Sequence, residues 1–304
     1  TIVVPQTVAA GTTLFSITIG GVPYKFTKNE AFTYVSGKMM NFGIKVDKQT
    51  GSGAYKLTLV SESITPWEND LVSHDATAKE YVVINSTKGH LKEAIAAANK
   101  DYTKIKNLKI TGEISAQDFY FMRDSMENLA ALNLKEVIIR GGEQRLTGGA
   151  QGVYPHNDYE IPYEALRGKK SLNLLVLPDK LTKIGIAAFA DDQNITGSLI
   201  IPEGVTEIEV GAFYDCRSMN GTLSLPSTLK YLGRGIDLWW YGGVFTYCGF
   251  TSELILPNNL ECIAGNNTFA GCEGLHGELR FPEKLTEISD GAFNGCKSLT
   301  GSIT

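Results

Sequence analysis

Five cysteines, four histidines and several acidic pairs are the residues of this 304-residue chain best suited to chemistry. Transition-metal sites need His and Cys at short, fixed spacings. His74, His90, His156 and His276 lie far apart, none stands at such a spacing from a Cys or carboxylate, and no Cys-x-x-Cys occurs. The chain has neither a Gly-x-Ser-x-Gly elbow nor a Gly-x-x-x-x-Gly-Lys-Ser/Thr phosphate cradle. The glycine-rich stretch 141–149 lacks the cradle's lysine and reads as a flexible loop. Asp191-Asp192, or Asp158 with Glu160, could do acid–base work or bind calcium, but each fits a solvated turn better. The expectation is a chain with no catalytic residue, no metal and no cofactor.

The cysteines instead belong to a spacing. Phe189, Phe213, Phe245, Phe269 and Phe293 are separated by 24, 32, 24 and 24 residues. Cys216, Cys248, Cys272 and Cys296 each follow a Phe by three places. A period of this size predicts a solenoid, whose single rungs cannot bury their apolar side alone. Short β-like runs such as Leu199-Ile200-Ile201 and Leu223-Ser224-Leu225 end at Pro202 and Pro226. Proline cannot continue a strand ladder, so it marks a corner of each rung. The five Phe and four Cys are read as a stacked core of reduced, buried thiols. Cys262 is out of phase and reads as surface-facing, with no base to activate it.

The units run from Pro through a hydrophobic-Thr-x-Ile stretch to Gly-Ala-Phe-x-x-Cys-x-x-Leu, as in Pro202–Met219 and Pro282–Leu299. Over about residues 100–304 this pattern resembles the BspA-like leucine-rich repeat family of bacterial surface proteins. Asp192 takes the first Cys place, and Leu166 takes the Phe place of a degenerate earlier unit. The segment from Leu108 to Leu134 looks like the family's opening unit, with a helix over roughly 115–127 covering the end of the stack. A second helix is expected near Leu91–Ala98, capped by Thr87 or Ser86.

Period-two strands fill the front of the chain, at Leu14–Ile19, Phe42–Val46 and Tyr55–Val60, which argues for a β-sandwich. Val4-Pro5-Gln6-Thr7, the glycine pair before Tyr24, Gly37-Lys38 and Ile64-Thr65-Pro66-Trp67 resemble the closing half of a fimbrillin-like domain, a type found in surface proteins of Bacteroidetes-type bacteria. The expected fold is therefore mixed and mainly β. A partial sandwich over 1–67 and a linker over 68–87 precede a solenoid over 88–304, with a helical capping region at 88–135 and repeats of about 24 residues at 160–304. The chain opens at Thr1 without a Met and stops inside a repeat at Thr304, which predicts a piece of a longer protein.

A net charge of −5 argues against nonspecific nucleic-acid binding, and no apolar run is long enough to span a bilayer. Two segments break the repeat. Trp239, Trp240 and Tyr241 lie in an insertion between Pro226 and Phe245, and Tyr154, His156 and Tyr159 lie in a long polar-aromatic stretch. Each is either a recognition site or a local plug or connector. The family resemblance implies an exported, non-enzymatic adhesion or interaction protein attached to the cell surface or outer membrane as a lipoprotein. Its partners would be extracellular proteins of the host or of neighbouring bacteria. The alternative is a glycan-binding protein whose exposed aromatics stack on sugar rings.

Overall fold

The computed structural model describes residues 7–8, 13–19, 22–27, 32–33, 38–48, 55–66, 81–145, 153–235 and 242–301. The chain divides into two compact units, Thr1–Thr77 and Ala78–Thr304.

In the first unit the described backbone is all strand, joined in antiparallel pairs. Thr13–Ile19 pairs with Val22–Thr27, and Thr7–Val8 pairs with Phe32–Thr33. The longest pair joins Lys38–Lys48 to Tyr55–Pro66, with a register shift between Gly43 and Ile44.

The second unit is a solenoid whose two largest sheets are parallel. One has four strands, in the order Leu174–Val176, Ala131–Ile139, Asn107–Ile114 and Val82–Ser86. The other has six, in chain order: Glu160–Ile161, Lys183–Ile184, Glu207–Glu209, Tyr231–Arg234, Cys262–Ile263 and Glu287–Ile288. Their register aligns Ile161, Ile184, Ile208, Leu232, Ile263 and Ile288 in one row. The first five are fully buried, while Ile288, in the last described strand of the sheet, is 43% exposed. At four corners a proline carbonyl accepts the amide three residues on: Pro202 from Val205, Pro226 from Leu229, Pro257 from Leu260 and Pro282 from Leu285.

The phenylalanines form a continuous stack. Successive ring centroids are 5.2, 5.6, 5.4 and 5.4 Å apart from Phe189 to Phe293, with interplanar angles of 24° or less. This is close to the strand spacing of about 4.8 Å, so rung stacking sets the ring stacking. The backbone on either side of each ring explains the motif's small residues. Two places before the Phe, Ala187, Gly211, Asn267 and Gly291 all have φ between +51° and +68°; two places after it, Asp191, Asp215, Tyr247, Gly271 and Gly295 have φ between +60° and +78°. Glycine adopts this left-handed region without the Cβ clash that other residues meet.

Two helices close the N-terminal side of the core: α1 (Leu91–Ala97) and α2 (Ala116–Ser125). Phe119 and Met122 of α2 are fully buried in the common core. Neither Thr87 nor Ser86 caps α1, contrary to the expectation. The cap comes from Asp118, whose carboxylate accepts Leu91 N at 2.9 Å and Gly89 N at 2.7 Å as well as Ser115 N at 2.8 Å. At the other end of α2, Lys169 Nζ reaches the carbonyls of Met126 and Arg123, at 2.6 and 3.1 Å.

Three further expectations need correction. All five cysteines are free, but Cys262 is not surface-facing: it is 2% exposed in the six-stranded sheet. Asp192 is fully buried rather than solvated, because it stands in the cysteine row. The glycine-rich stretch is partly strand, since Gly142–Arg145 pairs antiparallel with Val153–His156.

Candidate functional site

One face of the six-stranded sheet is committed to the core by its isoleucine row. The opposite face carries the neighbouring row, in register: Glu160, Lys183, Glu207, Tyr231, Cys262 and Glu287. Side chains one position apart in a strand point to opposite faces, so the β-period of each short run brings this row to the sheet's other face, where Cys262 is nonetheless buried.

The row is cross-linked by polar contacts. Lys183 Nζ lies 2.7 Å from Glu209 Oε1 and 3.7 Å from Glu207 Oε2. Burial opposes the Lys183 charge, but Glu209, Glu207 and Glu160 outweigh it and hold the ammonium above its usual pKa. Burial pushes Glu209 up, against the pull of Lys183. Tyr231 Oη donates to Glu261 Oε2 at 3.0 Å, and the Arg234 guanidinium lies 3.5 Å from the centre of the Tyr231 ring. Cys262 Sγ donates to Glu287 Oε2 at 3.0 Å, while burial raises the thiol pKa. A raised pKa and a carboxylate neighbour both disfavour the reactive thiolate.

At the first strands of this sheet lies a cavity of about 260 Å³ whose lining includes His156, Glu160, Lys183, Glu209 and Ile186. His156 is 6% exposed and neither ring nitrogen has a hydrogen-bond partner. Burial pushes its pKa down, although the nearby backbone of Arg140 and Gly142 and the charge of Glu160 act the other way. Glu160 accepts from Asn157 N at 2.8 Å and Asn157 Nδ2 at 2.9 Å. Of the aromatic residues singled out in the sequence, His156 reaches this cavity. Tyr159 is half-buried and occupies a left-handed turn at φ 65°, where its carbonyl accepts Thr182 N. Tyr154 is a strand residue paired with Gln144. Trp239, Trp240 and Tyr241 lie outside the described residues; Gly235, just before that segment, lines the cavity. Sequence reasoning missed Lys183 and Glu209. The available signal was their in-phase position beside the isoleucine of each rung.

A larger groove, about 540 Å³, lies beside Arg123, Glu164, Arg167 and Asp191. Most of its charges are used internally: Arg167 pairs with Glu164 at 2.6 Å and Asp191 at 3.4 Å, and Arg123 with Asp124 at 2.7 Å. The other acidic pair is similarly engaged. Arg140 bridges Asp158 at 2.7 Å and Glu113 at 2.6 Å. Among the described residues no group of three or more His, Cys, Asp or Glu is placed to hold a metal ion, and no helix is long and apolar enough to cross a membrane.

The chain is similar to known proteins at both ends. The BspA type leucine rich repeat region matches residues 159–236 and 241–303 in six copies, and the fimbrillin-like family matches residues 1–67. No curated protein matches the chain. Among solved structures it is similar to a leucine rich cell surface protein from Faecalibacterium prausnitzii, at 22% identity and a TM-score of 0.39, over 65% of this chain and 43% of that one. The T. pallidum leucine rich repeat protein matches at 18% identity and a TM-score of 0.34, over 71% of this chain and 72% of that one. A leucine-rich repeat protein from Bacteroides ovatus matches at 17% and 0.34, over 80% and 58% respectively. The chain thus spans less than half the length of the first of these proteins. With the Phe–Cys core and the sheet register, the two family matches identify residues 159–236 and 241–303 as BspA-type leucine-rich repeats that follow a fimbrillin-like segment.

Proposed function

We propose that this chain is a non-enzymatic interaction module of the bacterial cell surface, exported and attached to the outer membrane, that binds extracellular proteins of a host or of neighbouring bacteria. The observation carrying this reading is the six-stranded sheet, which holds Glu160, Lys183, Glu207, Tyr231, Cys262 and Glu287 in one ordered row. A rigid row of charged and aromatic groups suits recognition of a surface, because the ordering cost is already met by folding. The insertion with Trp239, Trp240 and Tyr241 and the stretch with Tyr154, His156 and Tyr159 are proposed as flanking contacts, since aromatics are common interface anchors.

The test is capture from extracellular-matrix and mucus extracts by the intact chain, by Trp239→Ala/Trp240→Ala, and by Lys183→Glu/Tyr231→Ala. The expected result is a protease-sensitive species whose direct binding to the purified chain is weakened by the sheet-face changes. Capture that resists protease, is removed by glycosidases and depends on the tryptophans alone would favour a glycan receptor instead.

A further inference from the structure

Tyr247 stands two places after Phe245, at the left-handed position that neighbouring rungs fill with Asp191, Asp215, Gly271 and Gly295. Its φ is 62°. A bulky aromatic is poorly suited to that backbone, where its Cβ crowds the chain. The core gains little in return, since neither buried apolar cluster includes Tyr247 and the side chain is 50% exposed. The ring lies along the outside of the next rung, where a Cβ on Gly271 would come within 2.5 Å of Tyr247 Cδ1. A strained backbone that holds out a ring the core does not need is the mark of a binding surface.

Two side chains frame the ring. Tyr214 of the preceding rung meets it edge-on, with centroids 6.2 Å apart and planes at 64°. The Arg217 guanidinium is 5.8 Å from the ring centre, at the margin of the ring, whereas Arg234 lies flat on Tyr231 at 3.5 Å. Arg217 is anchored through Nε, which donates to Asp215 Oδ1. Asp215 is itself buried and accepts Gln193 Nε2 at its other oxygen, at 2.5 Å. Among the described residues Arg217 Nη1 and Nη2 make no hydrogen bond, and the side chain is largely exposed. A guanidinium held by Nε presents its other nitrogens outward, where a carboxylate can accept from them.

An exposed ring with a guanidinium at its margin fits a ligand that has a C–H face and a carboxylate at the edge of that face. A pyranose supplies the face, because its polarised C–H bonds meet the negative side of the phenol ring. A hexuronate carries its carboxylate on the ring's edge, within reach of Arg217 while the sugar covers Tyr247. An aspartate or glutamate side chain would serve the guanidinium but leave the aromatic ring bare. We propose that Tyr247, Tyr214 and Arg217 form a binding site for a hexuronate residue of an acidic polysaccharide, with Asp215 holding Arg217 from behind. The site uses none of the residues named for the protein-binding role above, and the two stand independently.

The probe is methyl β-D-glucuronide, titrated into the full chain while isotopically labelled tyrosine rings are followed by NMR. The Tyr247 signal is assigned by its loss in Tyr247→Gly. A saturable shift of that signal is expected, with a midpoint of about 1–10 mM, the range of a single-sugar contact. Methyl β-D-glucoside, of nearly the same shape but uncharged, should need at least about tenfold more. Arg217→Gln should raise the glucuronide midpoint at least about fivefold. Tyr247→Gly should abolish saturation transfer from protein to sugar while its melting temperature holds or rises, because glycine suits φ 62°. That pairing separates a lost site from a lost fold; should this variant melt lower, the Arg217→Gln midpoint decides alone. An unmoved Tyr247 signal, an equal response to the glucoside or to N-acetyl-glutamate amide, or a midpoint indifferent to Arg217→Gln would each overturn the assignment.

Discussion

The thiol of Cys216 donates to the carbonyl oxygen of Phe189 at 3.1 Å, reaching back across one rung. The contact recurs from Cys248 to Phe213 at 3.1 Å, Cys272 to Phe245 at 3.0 Å and Cys296 to Phe269 at 3.1 Å. The motif's cysteine is thus a small apolar filler with one weak donor, placed where the preceding turn presents a carbonyl.

These thiols should make the fold sensitive to alkali. Burial pushes Cys272 up to about 12 and Cys296 to about 11. In the unfolded chain a thiol ionises near 8.5. Each folded-state pKa is raised, so its contribution to stability is complete below about pH 8.5 and is lost as pH rises toward 11–12. Urea midpoints should fall from pH 9 to pH 11, and less steeply in Cys272→Ala. Parallel profiles for the two proteins would refute this account.

Asp192 occupies the same row with a carboxyl in place of a thiol. Oδ1 accepts the Lys169 amide at 2.5 Å, whereas Oδ2 is buried without a partner. Burial raises the pKa well above the usual carboxylate range, outweighing the Lys169 amide. Its contribution is therefore present in acid, below the unfolded pKa, and lost as pH rises through the folded one. Asp192→Asn keeps the acceptor and removes the ionisation. It should be more stable than the parent at pH 8, by about 1–2 kcal/mol, with the gap narrowing toward pH 4. Thermal unfolding at the two pH values decides the matter.

Position in the stack should grade the cost of losing a ring. Phe245 lies between Phe213 and Phe269 and meets Phe250 edge-on at 6.0 Å, whereas Phe293 is stacked on Phe269 and is half-buried. Phe245→Ala should cost about 3–5 kcal/mol and Phe293→Ala clearly less. Equal losses in chemical denaturation would mean that the rungs do not share one core.

Asp118 should hold both helices. Replacing it with Ala frees the Gly89, Leu91 and Ser115 amides together, at a cost of about 2–4 kcal/mol from several charge-assisted hydrogen bonds. Hydrogen exchange should show lost protection at Leu91 and Ser115, while Phe213 and Phe269, whose amides donate to Val244 and Ala292 across rungs, keep theirs.

Left-handed positions give the opposite sign. Ala187 is buried with φ 51°, at the place where Gly211 and Gly291 serve in other rungs. Ala187→Gly should stabilise by about 0.5–1 kcal/mol, the reverse of the usual effect of glycine. A lowered melting temperature would show that the methyl's packing outweighs its strain.

Much of the repeat was legible because its signals are local. Phe213 and Phe269 mark rungs by period alone, and Pro226 marks a corner by lacking an amide hydrogen. The N-cap of α1 was not legible, since its acceptor, Asp118, is 27 residues away from Leu91 and arrives only when α2 packs. Cys262 misled because its register partners Tyr231 and Glu287 are polar or charged, whereas the thiol itself is buried and donates to Glu287.

The sequence by itself determined a stacked architecture, its phase and its aromatic core, because each follows from residue type at a fixed interval. Only the tertiary structure decided that His156, Glu160, Lys183 and Glu209 share one cavity wall. Parallel strands bring together residues a full rung apart, and the charge and hydrogen-bond balance of such a wall depends on which side chains become neighbours across rungs.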